Sequence, residues 1–236
     1  MNAPRVKVLV IDNTIDRPFK LAADFRRFLA PAEIHVRRGP QRDFPGDVSA
    51  YTHLLLTGSK TSCSDRSKWV EREMELARTM AEEGKPVLGV CFGHQILARA
   101  FGGAACVRAA AKPELGWCEV CRVGGPSVES LLSGLPSRFY TFQSHMDEVA
   151  RLPGKFVATA TSERCAIQAF RHERLPIFGI QFHPEKKLEE GQASIEARRG
   201  TIPEDCIFNT SRAKSVYSDH VADVIFRNFL EQESAR

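Results

Sequence analysis

No apolar run in the chain approaches the ~20 residues that a membrane-crossing helix requires. Met1 to Arg5 has no apolar stretch behind a basic cap, and Val6 to Ile11 is too short for a signal-peptide core. These absences make a cytoplasmic protein without a membrane partner the expectation. Massed charge is missing too: Lys and Arg are interleaved with Asp and Glu, the formal net charge is +4, and no electrostatic footprint for nucleic acid results. No linker, repeat or low-complexity segment divides the sequence, so one domain over residues 1–236 is expected. The seven cysteines, at 63, 91, 106, 118, 121, 165 and 206, are odd in number and scattered, which suits reduced thiols and not a disulfide framework. Cys118 and Cys121 form a lone C-x-x-C with no second pair and no spaced histidines, too little for structural zinc, and no metal is expected.

What is present suffices to fold. With 43% hydrophobic and 26% charged residues the chain is not of disordered composition, and 236 residues bury roughly 70% of their unfolded surface without a staple. Val6 to Ile11 reads as a buried strand, Phe19 to Leu29 as a helix through Phe19, Leu21, Ala22, Phe25, Phe28 and Leu29, Ile34 to Val36 as a second strand and His53 to Thr57 as a third. Trp69 to Glu83 places Val70, Met74, Ala77 and Ala81 on one helical stripe, Pro86 to Val90 is another buried strand, and Gln95 to Phe101 is helical. Trp117 to Val123, Phe139 to Gln143, Phe156 to Ala160, Ala166 to Arg171 and Ile177 to Phe182 are short strand-like runs of antiparallel flavour. The expected class is α/β: an open, mostly parallel sheet flanked by helices, with additional antiparallel strands in the second half. Lys186 to Ser218 is charged and broken by Gly191, Gly200 and Pro203, although Leu188 to Arg199 suits a solvated helix; Asp219 to Leu230 closes the chain as an amphipathic helix.

Gly89-Val90-Cys91-Phe92-Gly93 sets a nucleophile between two glycines where a strand gives way to a helix. That is the layout of a nucleophile elbow, whose tight turn needs residues without a Cβ on either side. The first N–H groups of the helix point at Cys91 and favour the thiolate, and the Phe92 N–H is placed to bind an oxyanion. For a bare G-x-C-x-G the alternative is a structural cysteine beside incidental glycines, and a base elsewhere is needed to overturn it. Gln181-Phe182-His183-Pro184-Glu185 supplies one. Pro184 pushes His183 out of the helical region, and Glu185 can bend back to the imidazole Nδ1–H, leaving Nε2 for the Cys91 proton. The histidines at 35, 53, 94, 145, 172 and 220 lack a carboxylate in that position; His53 sits in a strand and His172 in a charged turn.

Gly89-Val90-Cys91-Phe92-Gly93-His94-Gln95 meets the pattern G-x-C-x-G-x-Q and His183-Pro184-Glu185 the signature H-P-E, in the order Cys, His, Glu. From Val6 to Glu185 the sequence resembles the class I (triad) glutamine amidotransferases, which implies a flavodoxin-like amidotransferase architecture. The resemblance implies Cys91, His183 and Glu185 as catalytic residues and Thr57-Gly58-Ser59 as the oxyanion loop, with Gly58 or Ser59 and Phe92 as donors. By the same resemblance Gln95 contacts the bound glutamine and Gln143-Ser144-His145-Met146 offers backbone groups to its α-amino and α-carboxylate ends, with Ser144, His145 and Met146 nearest. Glu114-Leu115-Gly116-Trp117 is similar to a segment of stand-alone members. The implied reaction releases ammonia from the glutamine side chain through a γ-glutamyl thioester and needs no metal or organic cofactor. No G-x-x-x-x-G-K-[ST] loop is present, so an ammonia-accepting synthase is expected as a separate chain, with Lys186 to Ser218 as the candidate contact. A γ-glutamyl peptide or amide hydrolase is the alternative from the same chemistry, and a silent regulatory homologue is the alternative from another class.

Overall fold

The structure, a computed structural model, describes residues 6–16, 21–124 and 131–235. Phe19 of the expected first helix lies outside these residues. The chain runs β1 (Lys7–Asp12), α1 (Leu21–Leu29), β2 (Glu33–Arg38), β3 (His53–Leu56), α2 (Lys68–Glu82), β4 (Val87–Val90) and α3 (Phe92–Gly102). It continues through β5 (Val107–Arg122), β6 (Arg138–Val149), β7 (Phe156–Thr161), β8 (Ala169–His172), β9 (Ile177–Ile180), α4 (Leu188–Glu196), β10 (Ile207–Phe208), α5 (Ala213–Val216) and α6 (His220–Leu230).

The strands join in the order β10-β5-β7-β8-β9-β4-β3-β1-β2, with β6 paired to β5. The block β2, β1, β3, β4, β9 is parallel throughout, whereas β8, β7, β5 and β6 pair antiparallel. The early strands are unbroken apolar runs because both their faces are covered. Val8 and Val10 pack with Phe25 and Leu29 of α1 and Ile225, Phe226 and Phe229 of α6, while Leu9 and Ile11 pack with Leu76 and Met80 of α2 and Leu97 of α3. Each such buried side chain contributes about 1.5–3 kcal/mol relative to exposure, so the alternation within one hexapeptide holds both helical layers.

The second half departs from the expected boundaries in three places. β5 begins ten residues before Trp117 and β6 continues past Gln143, since the two form a ribbon from Val107↔Val149 to Cys121↔Arg138 with an irregularity between Ala109 and Glu114. Arg108, Ala109, Ala111 and Lys112 are exposed, so that stretch carries no apolar alternation to read. β8 starts at Ala169, not Ala166, and β9 stops at Ile180, not Phe182. Beyond β9 the chain crosses toward the ribbon, with Gln181 N donating to Gln168 O and His183 N to Phe142 O, both at 2.8 Å. His172 closes β8 and its Nδ1 accepts from the Arg174 and Leu175 amides at 3.1 and 2.9 Å, so it organises a turn from the end of a strand.

Residues 186–218 are ordered structure and their helix is not solvated on all sides. Ile195 of α4 and Ala213 of α5 are buried on Leu115, Trp117 and Phe142, a third small core on the ribbon's flank. A Cβ at Gly191 would lie 2.5 Å from the Trp117 ring, so a residue that reads as a helix breaker is where α4 sits against the indole.

Candidate active site

Cys91 stands between β4 and α3 with φ 54° and ψ −104°, an uncommon conformation for a residue with a side chain. Its neighbours explain how the chain accommodates it. A Cβ at Gly89 would fall 2.4 Å from the Gly93 carbonyl, and one at Gly93 would fall 2.4 Å from the Leu56 carbonyl oxygen. Both glycines are therefore required by backbone approach, as an elbow demands. The Phe92 N–H belongs to the first turn of α3, where amides have no partner within the helix.

His183 arrives on the crossing after β9, pinned by its own amide to Phe142 O. Its Nδ1 is 2.7 Å from Glu185 Oε1, and Glu185 is fully buried. The imidazole lies beside Cys91, close enough for the two side chains to act on each other's charge. Burial alone would depress the imidazole, but the Glu185 carboxylate and then Cys91 outweigh it and raise His183 to about 10. Gly58 closes the third side: a Cβ there would sit 2.9 Å from His183 Cε1 and 3.5 Å from Cys91 Cβ, so the loop backbone lies against both groups.

The other expected residues surround this point. Ser59, Cys91, Gln95, Ser144, His145 and Met146 line one cavity of ≈ 450 Å³. Gly58, Ser59, Ser144 and His183 line a second, of ≈ 190 Å³. Ser144 O is 3.9 Å from Cys91 Sγ. Gln95 is buried, not on the surface as a lone amphipathic helix would have it, and its Nε2 donates to Asp147 O at 2.8 Å and Gln181 Oε1 at 3.0 Å. The His145 ring points away from the thiol, with Nε2 2.9 Å from Glu114 Oε2 and Nδ1 3.0 Å from Asp147 O. Glu114 is the hub of that buried network and also accepts from Gln168 Nε2 at 2.7 Å and Ser162 Oγ at 2.9 Å. Its effect is to hold the β6 backbone at Ser144 to Asp147 beside Cys91.

Glu114, His145 and Cys165 also bring three metal-ligand atoms within 4.8 Å of one another. Those atoms are engaged in the hydrogen bonds just given, and Cys165 Sγ donates to Ile167 O at 3.6 Å. Burial pushes the thiols of Cys63 and Cys165 up to about 12 and raises Cys118 further still. Cys91 opens onto the cavity it shares with Gln95 and Ser144.

Sequence reasoning missed several groups. Lys60, Thr61, Ser62, Asp147, Arg198, Thr201 and Ile202 also line the larger cavity, and nothing in the charged stretch around Arg198 marked it. Behind the Thr57–Ser59 loop, Asn13 Nδ2 donates to the buried Glu73 at 2.7 Å and to Thr57 O at 3.2 Å, tying the loops after β1 and β3 to α2. Burial raises Glu73 to about 8, opposed by that hydrogen bond.

A doubly covered parallel sheet with a cysteine elbow at its edge and a His–Glu pair delivered beside it defines a class of cysteine-dependent acyl-transfer enzymes. The model of the family "Glutamine amidotransferase class-I" matches residues 22–200. The chain belongs to that family. It is 35% identical over 183 residues to the glutamine-hydrolysing GMP synthase subunit of Methanopyrus kandleri, covering 78% of this chain and 91% of that one. The protein of the same name from Methanothermobacter thermautotrophicus is 38% identical over 178 residues, covering 75% and 88%. In shape the chain is similar to a glutamine amidotransferase from Thermotoga maritima, with a TM-score of 0.77 at 22% identity over 98% of this chain and 100% of that one. The open, mostly parallel sheet of amidotransferase architecture is the fold observed.

Proposed function

We propose that Cys91, His183 and Glu185 form the triad of a glutamine-hydrolysing subunit. The carrying observation is their convergence: a cysteine on an elbow, facing the Gly58 backbone together with a histidine whose Nδ1 is 2.7 Å from a fully buried carboxylate. The Cys91 thiolate attacks the side-chain amide carbon of glutamine. Phe92 N–H, with Gly58 or Ser59 N–H, holds the oxyanion. His183 gives its proton to the departing ammonia, becomes neutral, and then takes a proton from the water that cleaves the γ-glutamyl thioester, releasing glutamate. Glu185 orients the ring and stabilises its cation. Gln95 and the backbone of Ser144 to Met146 form the wall on which glutamine lies.

The relatives' name, that of the glutamine-hydrolysing part of a synthase, supports a separate chain that consumes the ammonia. In this reading the chain is one amidotransferase domain over residues 1–236 and works in the cytoplasm; no helix of the described residues is long and apolar enough to cross a membrane. The test is glutamate release from glutamine by the purified chain, on its own and with an ammonia-consuming synthase partner. Activity with glutamine, lost by at least about a thousandfold in Cys91→Ala, is expected. Absence of glutamine hydrolysis under both conditions contradicts the reading.

A second reading, hydrolysis of γ-glutamyl amides with a larger leaving amine, is favoured by one observation. The cavity on the His183 side, where the leaving group is protonated, holds ≈ 190 Å³, more than ammonia fills. Turnover of γ-glutamyl peptides faster than of glutamine would select it.

A further inference from the structure

The mouth of the site carries three cations besides the triad. Lys60 is paired with Asp16 at 2.5 Å and Lys186 with Asp24 at 3.4 Å. Arg198 is different. Among the described residues no carboxylate lies within ion-pair distance of it, and its Nη1 donates at 2.9 Å to the hydroxyl of Ser144, a neutral acceptor. Ser144 is the residue whose carbonyl is 3.9 Å from Cys91 Sγ, so the guanidinium stands one residue from the nucleophile. It lines both cavities, the one containing Cys91 and the one containing His183. A half-buried guanidinium without a counter-ion beside an acyl-transfer centre is a carboxylate receptor, because a planar fork of donors binds that group through two parallel charge-assisted hydrogen bonds.

We infer that Arg198 binds the α-carboxylate of the γ-glutamyl substrate and is the residue that makes the site prefer an α-amino acid over a simple amide. The assignment rests on the glutamine-hydrolysing reading and adds a specificity residue to it. It also gives residues 186–218 a task. The turn after α4 brings Arg198, Thr201 and Ile202 over the cavity, and Ile195 of that helix is anchored on Trp117 and Phe142. The guanidinium is therefore held by packing before substrate arrives.

Alkylation of Cys91, followed by mass spectrometry, tests this without requiring turnover. The probes are a chloroketone analogue of glutamine that keeps the α-amino and α-carboxylate groups, the same chloroketone lacking the carboxylate, and iodoacetamide. For wild type the first probe should modify Cys91 with saturation at far lower concentration than the second. In Arg198→Gln the half-saturating concentration of the first should rise roughly tenfold to a hundredfold, as for loss of a charged hydrogen bond, with the second and iodoacetamide reacting as with wild type within about twofold. Arg198→Lys should recover part of the loss. Equal slowing with all three probes in Arg198→Gln would mean that Arg198 only props the wall, and would overturn the inference. Failure of the glutamine chloroketone to label Cys91 of wild type, with iodoacetamide still reacting, would instead overturn the underlying reading and the inference with it.

Discussion

Cys91 carries a backbone conformation that costs on the order of 1–3 kcal/mol, and the surrounding glycines are what allow it to persist. Glu185→Ala should lower kcat by about a hundredfold or more and shift the alkaline limb of the kcat/KM profile. The sign follows from the causes: burial alone depresses His183 and Glu185 is the largest group holding it up at about 10, so without the carboxylate the imidazolium is lost at lower pH. A pH–rate profile checks it; an unmoved limb would contradict the pairing. Gly58→Ala places a methyl 2.9 Å from His183 Cε1, a side-chain neighbour that can shift, so the protein should fold and lose kcat. A wild-type unfolding midpoint with reduced glutamine turnover is the expected outcome. Much of this was legible in the sequence. Cys91 between glycines and the Pro184-spaced Glu185 are local patterns with local mechanisms. Arg198 was not, because its role comes from a turn brought over the cavity by packing against Trp117 and Phe142, far from it in sequence.

Among elements, the ribbon of β5 and β6 lines the cavity through Ser144 to Asp147, and the turn after α4 borders it through Arg198, Thr201 and Ile202. The sequence placed the strand and helix of the elbow within a few residues, since the buried parallel strands are unbroken apolar runs and the helices repeat at 3.6. It understated the ribbon, whose outer half is exposed and held by hydrogen bonds that no hydropathy pattern records. Residues 186–218 were legible only as a helix over 188–199 and a segment with structure of its own or a partner to pack against, because Leu188, Ile195, Ile202, Ile207 and Ala213 join one small core only after the chain has turned back on itself. Ile195→Ala should cost about 2–4 kcal/mol locally, raising hydrogen exchange in residues 188–217 while the parallel sheet stays protected. It should also raise KM for glutamine more than it lowers kcat, because Arg198 follows that helix. Uniform exchange across the chain would show that the segment has no separate stability.

Across the whole molecule, buried titratable groups predict how stability changes with pH. Burial lowers His53 to about 4 and His94 to about 3, both below their ordinary 6.5. Their contribution is present above pH 6.5 and is lost as pH falls through about 4 and then 3. Glu73 runs the other way: raised from 4.5 to about 8, it favours the fold below pH 4.5, and that contribution is lost as pH rises through 8. Glu73→Gln keeps the acceptor for Asn13 and removes the burial of charge, so it should stabilise the protein at pH 8 by about 2–4 kcal/mol and by much less at pH 4.5. Thermal or denaturant unfolding at the two pH values measures the difference; a gain independent of pH would contradict the origin assigned to it.

Acid quenching of wild-type protein during turnover of isotopically labelled glutamine, with the label mapped by peptide mass spectrometry, tests directly whether Cys91 is the nucleophile. Wild-type protein should carry a glutamyl group in thioester linkage on Cys91, absent in Cys91→Ser, with labelled glutamate as the product. A glutamyl adduct on any other of the seven cysteines, or glutamate release that survives Cys91→Ser undiminished, would contradict it.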